Sequence, residues 1–378
     1  MDRLVSNSDR DPVRRQPVLP PYVEFPCSES AATFGRSPYR PDSVHALRPG
    51  DIDVIAAMGD SLVAGNGAME DYALGTFIEH RGVSWCAGGD GTWREYLTLP
   101  NILKEFNPNL RGYSVGKAQF PSPPSGLNVA FPVSADEDAL KQAKQLVLKM
   151  KRDPKVDFEN DWKMITIFFG ANDLCSGQCY NKRGTTPAAH AYKIQMALDY
   201  LHDNMPRTIV NLIPVLDVSV SVRLKRSLVC RMLHTLFCSC FHHQSVDPMD
   251  TITALTRKYQ EAERALVSSG RYNQKLDFTV VIQPFMTLFN APKDTNRRYQ
   301  EVIDISYITY DCFHFSQKGH ALVIAYHFVL AANLLWNNMF EPVGHKSRKR
   351  IRYIFEKFYC PTEQFPYIFT YNNSLNLL

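Results

Sequence analysis

A serine follows directly after a short apolar segment that has the pattern of a buried β-strand. The segment is Val54–Met58, and Gly59, Asp60 and Ser61 come next. Ligands of open α/β sheets bind beyond the carboxyl ends of the strands. A hydroxyl at such a position can act as a nucleophile if a base accepts its proton. The alternative is that Ser61 only caps a helix that follows.

A second apolar segment also ends in a polar turn. Met164–Phe169 is followed by Gly170, Ala171, Asn172 and Asp173. The side-chain amide of Asn172 can donate a hydrogen bond to negative charge that develops at this strand end, and such donors stabilise transition states. The alternative is an ordinary turn, because Asn and Asp are both common turn residues.

A carboxylate and an imidazole lie close together near the end of the chain. Asp311 precedes His314 by three residues. At this spacing the carboxylate can accept a hydrogen bond from one ring nitrogen while the other nitrogen faces a serine. These are the orienting acid and the general base of a nucleophilic triad. The alternatives are a chance neighbour and a buried structural pair.

The segments that would hold these residues alternate between strand and helix patterns. Apolar residues at helical spacing predict helices over 140–150, 194–205 and 252–266. Ser134 and Glu137 have the spacing of a capping box for the first of them. The predicted strands are the apolar runs 54–58, 164–169, 209–216 and 278–282. This alternation predicts a parallel sheet in a three-layer α/β/α sandwich of the α/β class, with a flavodoxin-like arrangement.

The chain of 378 residues is long enough for one large domain. Residues 1–45 are rich in Pro, Ser and Arg and predict an extended lead-in. We assign the main domain to 46–342, with a disulfide-rich insertion at about 218–248. The remaining residues, 343–378, are predicted to form an extension that packs back on the domain.

Composition excludes some functions and leaves the location open. The formal charge of +4 is too small to indicate nucleic acid as a partner. The longest apolar segment, 321–336, is interrupted by polar residues and predicts a core helix, not a transmembrane one. The first 15 residues lack the apolar run of a signal peptide. Either the protein is intracellular, or this chain lacks its natural leader.

The nine cysteines favour an oxidising compartment, because this density is unusual for a cytosolic enzyme. We predict that Cys27 pairs with Cys360, since they flank the ends of the domain. Cys175 and Cys179 are close enough to form a small loop. Cys312 is predicted to be a structural half-cystine, not a nucleophile. An odd number leaves at least one free thiol.

A zinc site is the main alternative for the middle of the insertion, although disulfides are the favoured interpretation there. Thiolates and imidazoles are both zinc ligands, but their spacing fits no zinc-finger pattern known to us. The residues concerned are Cys230, His234, Cys238, Cys240, His242 and His243.

Taken together, the three motifs resemble the signature blocks of the SGNH (GDSL) hydrolases. That family has GDSL near its N-terminus, GxND at a strand end in mid-chain, and DxxH near its C-terminus. Further segments resemble the phospholipase B branch of the family, and the resemblance covers most of residues 24–375. These segments are SWCAGGDGTW, LPNILKEFNPNL, DFTVVIQPF, DCFHFS and LWNNMFEPVG.

The resemblance implies a catalytic role for each matching residue. Ser61 would be the nucleophile, His314 the general base and Asp311 the group that orients the imidazole. The backbone amide of Ser61 and the side chain of Asn172 would contribute to an oxyanion hole. No metal or cofactor would be required. The remaining residues of the blocks would support the site; they are Gly59, Asp60, Gly170 and Asp173.

One block departs from the family pattern. The pattern of the family in this block resembles N-x-A-x-x-G-[AG]. In this chain Asn128 and Ala130 match the pattern, but Val133 occupies the position of the glycine. The backbone amide of Val133 can still donate to the oxyanion. A β-branched side chain resists a positive φ and can crowd the pocket. Our hypothesis is that activity is retained.

The resemblance also implies the substrate class, which is phospholipids or lysophospholipids, and peripheral contact with a membrane surface. Other lipid or acetyl esters are an alternative, and a lipid-binding pseudoenzyme on the same scaffold is another. The cysteine content favours an extracellular location, or a membrane-associated one facing an oxidising compartment. The basic run 346–352 can bind anionic headgroups or act as a nuclear signal, and a solvated surface segment is the simpler interpretation.

Overall fold

A parallel sheet forms the centre of the molecule in the computed structural model, which describes residues 14–223, 228–241, 248–291, 305–321, 334–346 and 358–377. In the described part the strand order is β1-β2-β3-β4, and every neighbouring pair is parallel. The strands are β1 (Ile52–Gly59), β2 (Trp162–Phe168), β3 (Thr208–Leu212) and β4 (Phe278–Ile282). All four predicted strands are confirmed, although β3 ends four residues before the predicted limit of 216.

Helices connect the strands, as parallel pairing requires. The helices predicted over 140–150, 194–205 and 252–266 are present as α4 (Ala139–Arg152), α6 (Pro187–Asn204) and α9 (Pro248–Ser268). The described α-helices are α1 (Ser28–Phe34), α2 (Ser61–Ala64), α3 (Leu99–Lys104), α4 (Ala139–Arg152), α5 (Gln178–Tyr180), α6 (Pro187–Asn204), α7 (Ser219–Arg223), α8 (Leu228–Phe237), α9 (Pro248–Ser268), α10 (Gln317–Ala321), α11 (Leu334–Met339) and α12 (Tyr371–Ser374).

Apolar side chains pack on both faces of the sheet. On one face Val54, Ile165 and Val210 join the apolar sides of α4 and α6 in one core cluster. On the other face Ile55 and Met164 belong to a second cluster with residues of α3 and α11. Because successive residues of a strand point to opposite faces, a strand buried on both faces is expected to be mostly apolar. The three-layer α/β/α sandwich predicted from the sequence is thereby confirmed.

The predicted capping box before α4 is wrong in its residues. A 3₁₀ turn over Asp136–Asp138 leads into the helix, and the Asp138 carboxylate accepts a hydrogen bond from the backbone N–H of Ala135 at 3.1 Å. The Ser134 hydroxyl instead accepts a hydrogen bond from the Gln142 side chain at 3.1 Å. The extra turn moves the start of the helix further along the chain. Ser134 therefore does not cap the helix, and its carbonyl accepts a hydrogen bond from Asn172 in the site described below.

Two segments near the ends of the chain are joined covalently. Cys27 and Cys360 form a disulfide, as predicted. Lys346, the first residue of the basic run, is buried and donates to the carbonyl of Asn338. It is therefore not a solvated surface residue. The rest of that run and residues 322–333 of the predicted core helix lie outside the described residues. The domain boundaries stay a prediction.

The other cysteine pairs connect the insertion to the main domain. Cys175 pairs with Cys238 and Cys179 with Cys240, so the predicted small loop between Cys175 and Cys179 is wrong. Positions four apart on a helical turn lie on the same side, and here both face the segment that carries Cys238 and Cys240. The buried Cys86 is the free thiol that the odd number required.

Candidate active site

Ser61 lies at the carboxyl end of β1, as the first residue of α2. Asp60 is the residue that caps this helix, because its side chain accepts a hydrogen bond from the Leu62 N–H at 2.9 Å. Burial raises the pKa of Asp60 to about 6. The alternative in which Ser61 acts only as a helix cap is therefore wrong. Its hydroxyl is left to meet other partners.

The structure brings Ser61, His314 and Asp311 together. The Nε2 atom of His314 is 2.8 Å from Ser61 Oγ, across 253 positions of sequence. The Nδ1 atom is 2.5 Å from Asp311 Oδ2. Thr76 Oγ1 lies 2.9 Å from the same Nδ1 atom. The arrangement can move a proton from the serine to the imidazole and stabilise the imidazolium that results.

Asp311 is held rigidly and ionised. One carboxylate oxygen accepts hydrogen bonds from the backbone N–H groups of Phe313 at 2.9 Å and His314 at 3.1 Å, and from the Thr309 hydroxyl. Burial by itself would raise the pKa of the Asp311 carboxyl, but the charge and hydrogen bond of His314 hold that pKa well below its usual range. Asp311 can therefore keep the imidazole oriented at any ordinary pH.

Residues that carry hydrogen-bond donors line the pocket of the serine. The N–H of Ser61 has no acceptor within its helix, because it belongs to the first turn. Asn172 Nδ2 donates one hydrogen bond to the Ser134 carbonyl at 2.8 Å, and a side-chain amide has a second hydrogen to donate. Val133 and Asn172 both line the pocket that contains Ser61. These are the donors that a developing oxyanion would need.

Val133 has a positive φ of 63°, the conformation in which glycine is favoured. Its side chain is 72% exposed. Replacing Val133 with glycine is expected to raise the free energy of unfolding by about 0.5–1 kcal/mol, because relief of about 1–2 kcal/mol of left-handed strain exceeds the entropy cost of glycine. Urea unfolding measures this difference.

Val133→Ala is the matched comparison, since it keeps the strained φ and should gain less stability than glycine. A glycine variant less stable than wild type would contradict the prediction. Ester turnover of the same two variants tests the idea that the valine crowds the pocket. An unchanged or lower rate with glycine would count against crowding.

Two glycines allow the strand ends to approach their neighbours. A Cβ atom at Gly59 would lie 2.6 Å from the Phe168 carbonyl oxygen, and one at Gly170 would lie 2.8 Å from a methyl group of Val215. Gln142 clamps the peptide groups of Gly59, accepting from its N–H at 2.9 Å and donating to its carbonyl at 2.8 Å. The sequence motifs did not reveal Gln142, although its place among the apolar positions of α4 was a signal.

Buried charged residues hold the turn that contains Asn172 in place. Asp173 accepts a hydrogen bond from the backbone N–H of Asp136 at 3.0 Å, and burial together with the Asp136 charge raises the pKa of Asp173 to about 7. The Asp136 carboxylate contacts His190 Nδ1 at 3.0 Å and Lys193 Nζ at 2.6 Å. His190 Nε2 contacts Glu263 at 3.2 Å. The network connects the turns that carry Ser134 and Asn172.

His190 is expected to make stability depend on pH. Burial disfavours its charge, but the hydrogen bonds to Asp136 and Glu263 raise its pKa to about 9, above about 6.5 in the unfolded chain. The imidazolium therefore contributes stability that is complete below pH 6.5 and is lost as the pH rises through 9. Urea unfolding at pH 6, 8 and 10 measures this loss. A His190→Gln variant should lack it, and equal slopes for both proteins would contradict the prediction.

The cysteines of the zinc alternative all form disulfides, so they cannot act as thiolate ligands. Cys230 is paired with Cys312, while Cys238 and Cys240 are paired as described above. Cys312 is therefore a half-cystine, as predicted. His234 Nε2 donates a hydrogen bond to the Asp311 carbonyl at 3.1 Å. His242 and His243 lie outside the described residues. The insertion is thus bonded directly to the loop that carries Asp311 and His314.

The pocket around Ser61 has an empty volume of about 600 Å³, which includes space open to solvent. Several residues that the motifs did not indicate line it. Most of them have no sequence signature, because they come from loops and from α8. These residues are Asn66, Thr76, Phe77, Pro132, Leu233, His234, Cys238 and Phe313.

With this geometry, the family of the chain can be stated. The family model of GDSL-like lipases and acylhydrolases matches residues 55–326, more than half of the chain. The chain therefore belongs to the GDSL-like lipase/acylhydrolase family. The resemblance to SGNH hydrolases predicted from the three motifs is confirmed.

Individual relatives agree with the phospholipase B branch. The chain is 41% identical over 347 residues to the Homo sapiens protein named "Phospholipase B1, membrane-associated", covering 89% of this chain and 23% of that protein. The Rattus norvegicus protein of the same name is 39% identical over 341 residues, covering 88% and 23%. The chain thus spans about a quarter of the length of the curated relatives it matches.

Similarity to solved structures is low. A protein described as a GDSL-like lipase from Parabacteroides merdae has a TM-score of 0.38 and 12% identity, covering 78% of this chain and 96% of that one. Phospholipase A1 from Streptomyces albidoflavus has a TM-score of 0.31 and 11% identity, covering 71% and 95%. The family assignment rests on the family model.

Proposed function

We propose that this chain hydrolyses carboxylic esters of phospholipids or lysophospholipids through an acyl-enzyme. The observation that carries the proposal is the contact of 2.8 Å between His314 Nε2 and Ser61 Oγ, with Asp311 on the other ring nitrogen. Family membership supports the ester hydrolase class, and the names of the relatives support the phospholipid substrate.

The proposed reaction has two halves. His314 accepts the Ser61 proton as the oxygen attacks the ester carbonyl, and the oxyanion takes hydrogen bonds from the Ser61 and Val133 amides and from Asn172. His314 then protonates the departing alcohol. In the second half, His314 accepts a proton from the attacking water and returns it to Ser61 Oγ as the bond between that oxygen and the acyl carbon breaks, and the fatty acid leaves. The reaction requires no cofactor or metal.

A fluorophosphonate probe followed by peptide mapping tests the nucleophile, and product analysis on defined phosphatidylcholine and lysophosphatidylcholine tests the substrate. We expect label on the peptide that contains Ser61 and release of fatty acid by wild type but not by Ser61→Ala. Absence of label and of fatty acid would favour the lipid-binding pseudoenzyme. Label with turnover of acetyl esters alone would favour the esterase alternative.

We further propose that the protein works at a lipid surface, in an extracellular setting or on a membrane facing an oxidising compartment. Four disulfides support the oxidising compartment. Phe77 and Val133 line the pocket of Ser61 and are 59% and 72% exposed, so two apolar side chains of the pocket are accessible to a lipid surface. No helix in the described ranges is long and apolar enough to cross a bilayer.

Sedimentation of Ser61→Ala with phosphatidylcholine vesicles tests the surface contact. A double variant, Ser61→Ala with Phe77→Ser, should bind vesicles severalfold more weakly, because it lacks an exposed aromatic side chain that can insert into the lipid. Leu276→Ser is the matched control: Leu276 is 65% exposed and lies just before the amino end of β4. Equal losses for both variants would contradict the proposal.

A further inference from the structure

A second cavity lies beside the pocket of Ser61 and has an empty volume of about 720 Å³. Its walls are mainly aromatic and aliphatic. They include Trp85, Phe285, Met286, Phe315, Leu334 and Leu335. The family motifs assign it no role.

Several polar side chains on the cavity wall are hydrogen-bonded within the protein. The Nδ1 atom of His320 accepts a hydrogen bond from the Trp85 N–H at 3.2 Å. Asp217 accepts hydrogen bonds from the N–H groups of Ser219 at 3.1 Å and Ala291 at 3.0 Å. The Ser221 hydroxyl donates to the Val218 carbonyl at 2.9 Å. Nothing in this set requires a polar ligand. The cavity therefore suits a hydrocarbon.

One aromatic side chain belongs to both spaces. Phe313 lines this cavity and also the pocket of Ser61. Its ring packs edge-on against His314, with centroids 5.2 Å apart. Trp85, on the cavity wall, donates its indole N–H to the Leu62 carbonyl at 3.1 Å, and Leu62 follows Ser61 directly. The cavity is thus adjacent to the reacting groups.

We infer that this cavity holds the unbranched acyl chain of the ester while its carbonyl carbon is bonded to Ser61. The inference rests on the proposed function and names the place of the fatty chain. The hydrocarbon chain of an acyl group bonded to Ser61 must extend away from the oxyanion donors. If it extends into the apolar space next to Phe313, its methylene groups are removed from water. The alcohol part of the substrate would then leave through the exposed pocket.

Hydrolysis of p-nitrophenyl esters from acetate to palmitate tests the inference. For wild type, kcat/KM should rise by about fourfold per methylene until the cavity is filled. Two variants that fill it, Leu216→Phe and Phe289→Trp, should lower kcat/KM for palmitate at least tenfold relative to acetate. Leu198→Phe is the matched control, because Leu198 is buried in the core on the opposite side of the sheet.

Parallel chain-length profiles for wild type and both filling variants would overturn the inference while leaving ester hydrolysis intact. A failure to hydrolyse acetate as well as palmitate would instead overturn the proposed function. The two failures are therefore distinguishable.

Binding can be measured without turnover. Dibromostearate added to Ser61→Ala should quench tryptophan fluorescence, because Trp85 lines the cavity and bromine quenches on contact. The quenching should fall severalfold in Ser61→Ala with Trp85→Phe, and also in Ser61→Ala with Leu216→Phe, which fills the cavity without adding a tryptophan. Equal quenching with and without Trp85 would overturn the inference, because the fatty acid would then lie elsewhere.

Discussion

Replacing Ser61 with alanine is expected to lower kcat for ester hydrolysis by about a million-fold, the size of loss seen when the nucleophile of a serine hydrolase is removed. The alanine cannot form the acyl-enzyme, and His314 loses the hydroxyl that lies 2.8 Å from its Nε2 atom. Stopped assays with a p-nitrophenyl ester measure the rate. The burst of product that reports the acyl-enzyme should also disappear.

Ser268→Ala is the control for this change, because Ser268 is an exposed residue at the end of α9. Its rate should stay within about twofold of wild type, as is usual for surface substitutions. A Ser61→Ala enzyme that keeps a tenth of wild-type activity would show that another group carries the reaction. The unfolding free energy of both variants should change little.

The second large effect is expected from Asp311→Asn, with a loss in kcat of about 10⁴-fold. The amide has nearly the shape of the carboxylate but can donate a hydrogen bond to Nδ1, which favours the wrong tautomer of His314. It also cannot balance the charge of the imidazolium. Because the pKa of Asp311 lies well below its usual range, wild-type activity should not decline through protonation of Asp311 between pH 5 and 8.

Steady-state kinetics across that pH range measure both effects. Asp199→Asn is the matched control, since Asp199 forms a half-exposed ion pair with Arg271 at 2.7 Å and lies away from the site. Its kcat should remain near that of wild type. A loss of less than tenfold in Asp311→Asn would contradict an orienting role and would direct attention to Thr76 as the partner of Nδ1.

Local chemistry was predictable because it depends on neighbours in the chain. A glycine followed by Asp60 and Ser61 ends an apolar strand, and Asn172 ends the next one, so parallel pairing brings both to one edge of the sheet. The spacing of Asp311 and His314 likewise permits a hydrogen bond within one loop. These patterns determined the fold class, and they determined which residue types could take part in the reaction.

Contacts between distant segments depended on the tertiary structure. The approach of His314 to Ser61 joins two ends of the chain. Cys175 and Cys179 could be counted but not paired, since their partners lie on a separate segment whose position is set by packing. The packing of distant segments also places Gln142 and His190 where they hold the turns of the site, and it forms the cavity next to Phe313. Short-range patterns determine elements and chemistry, whereas the packing of those elements determines which side chains meet.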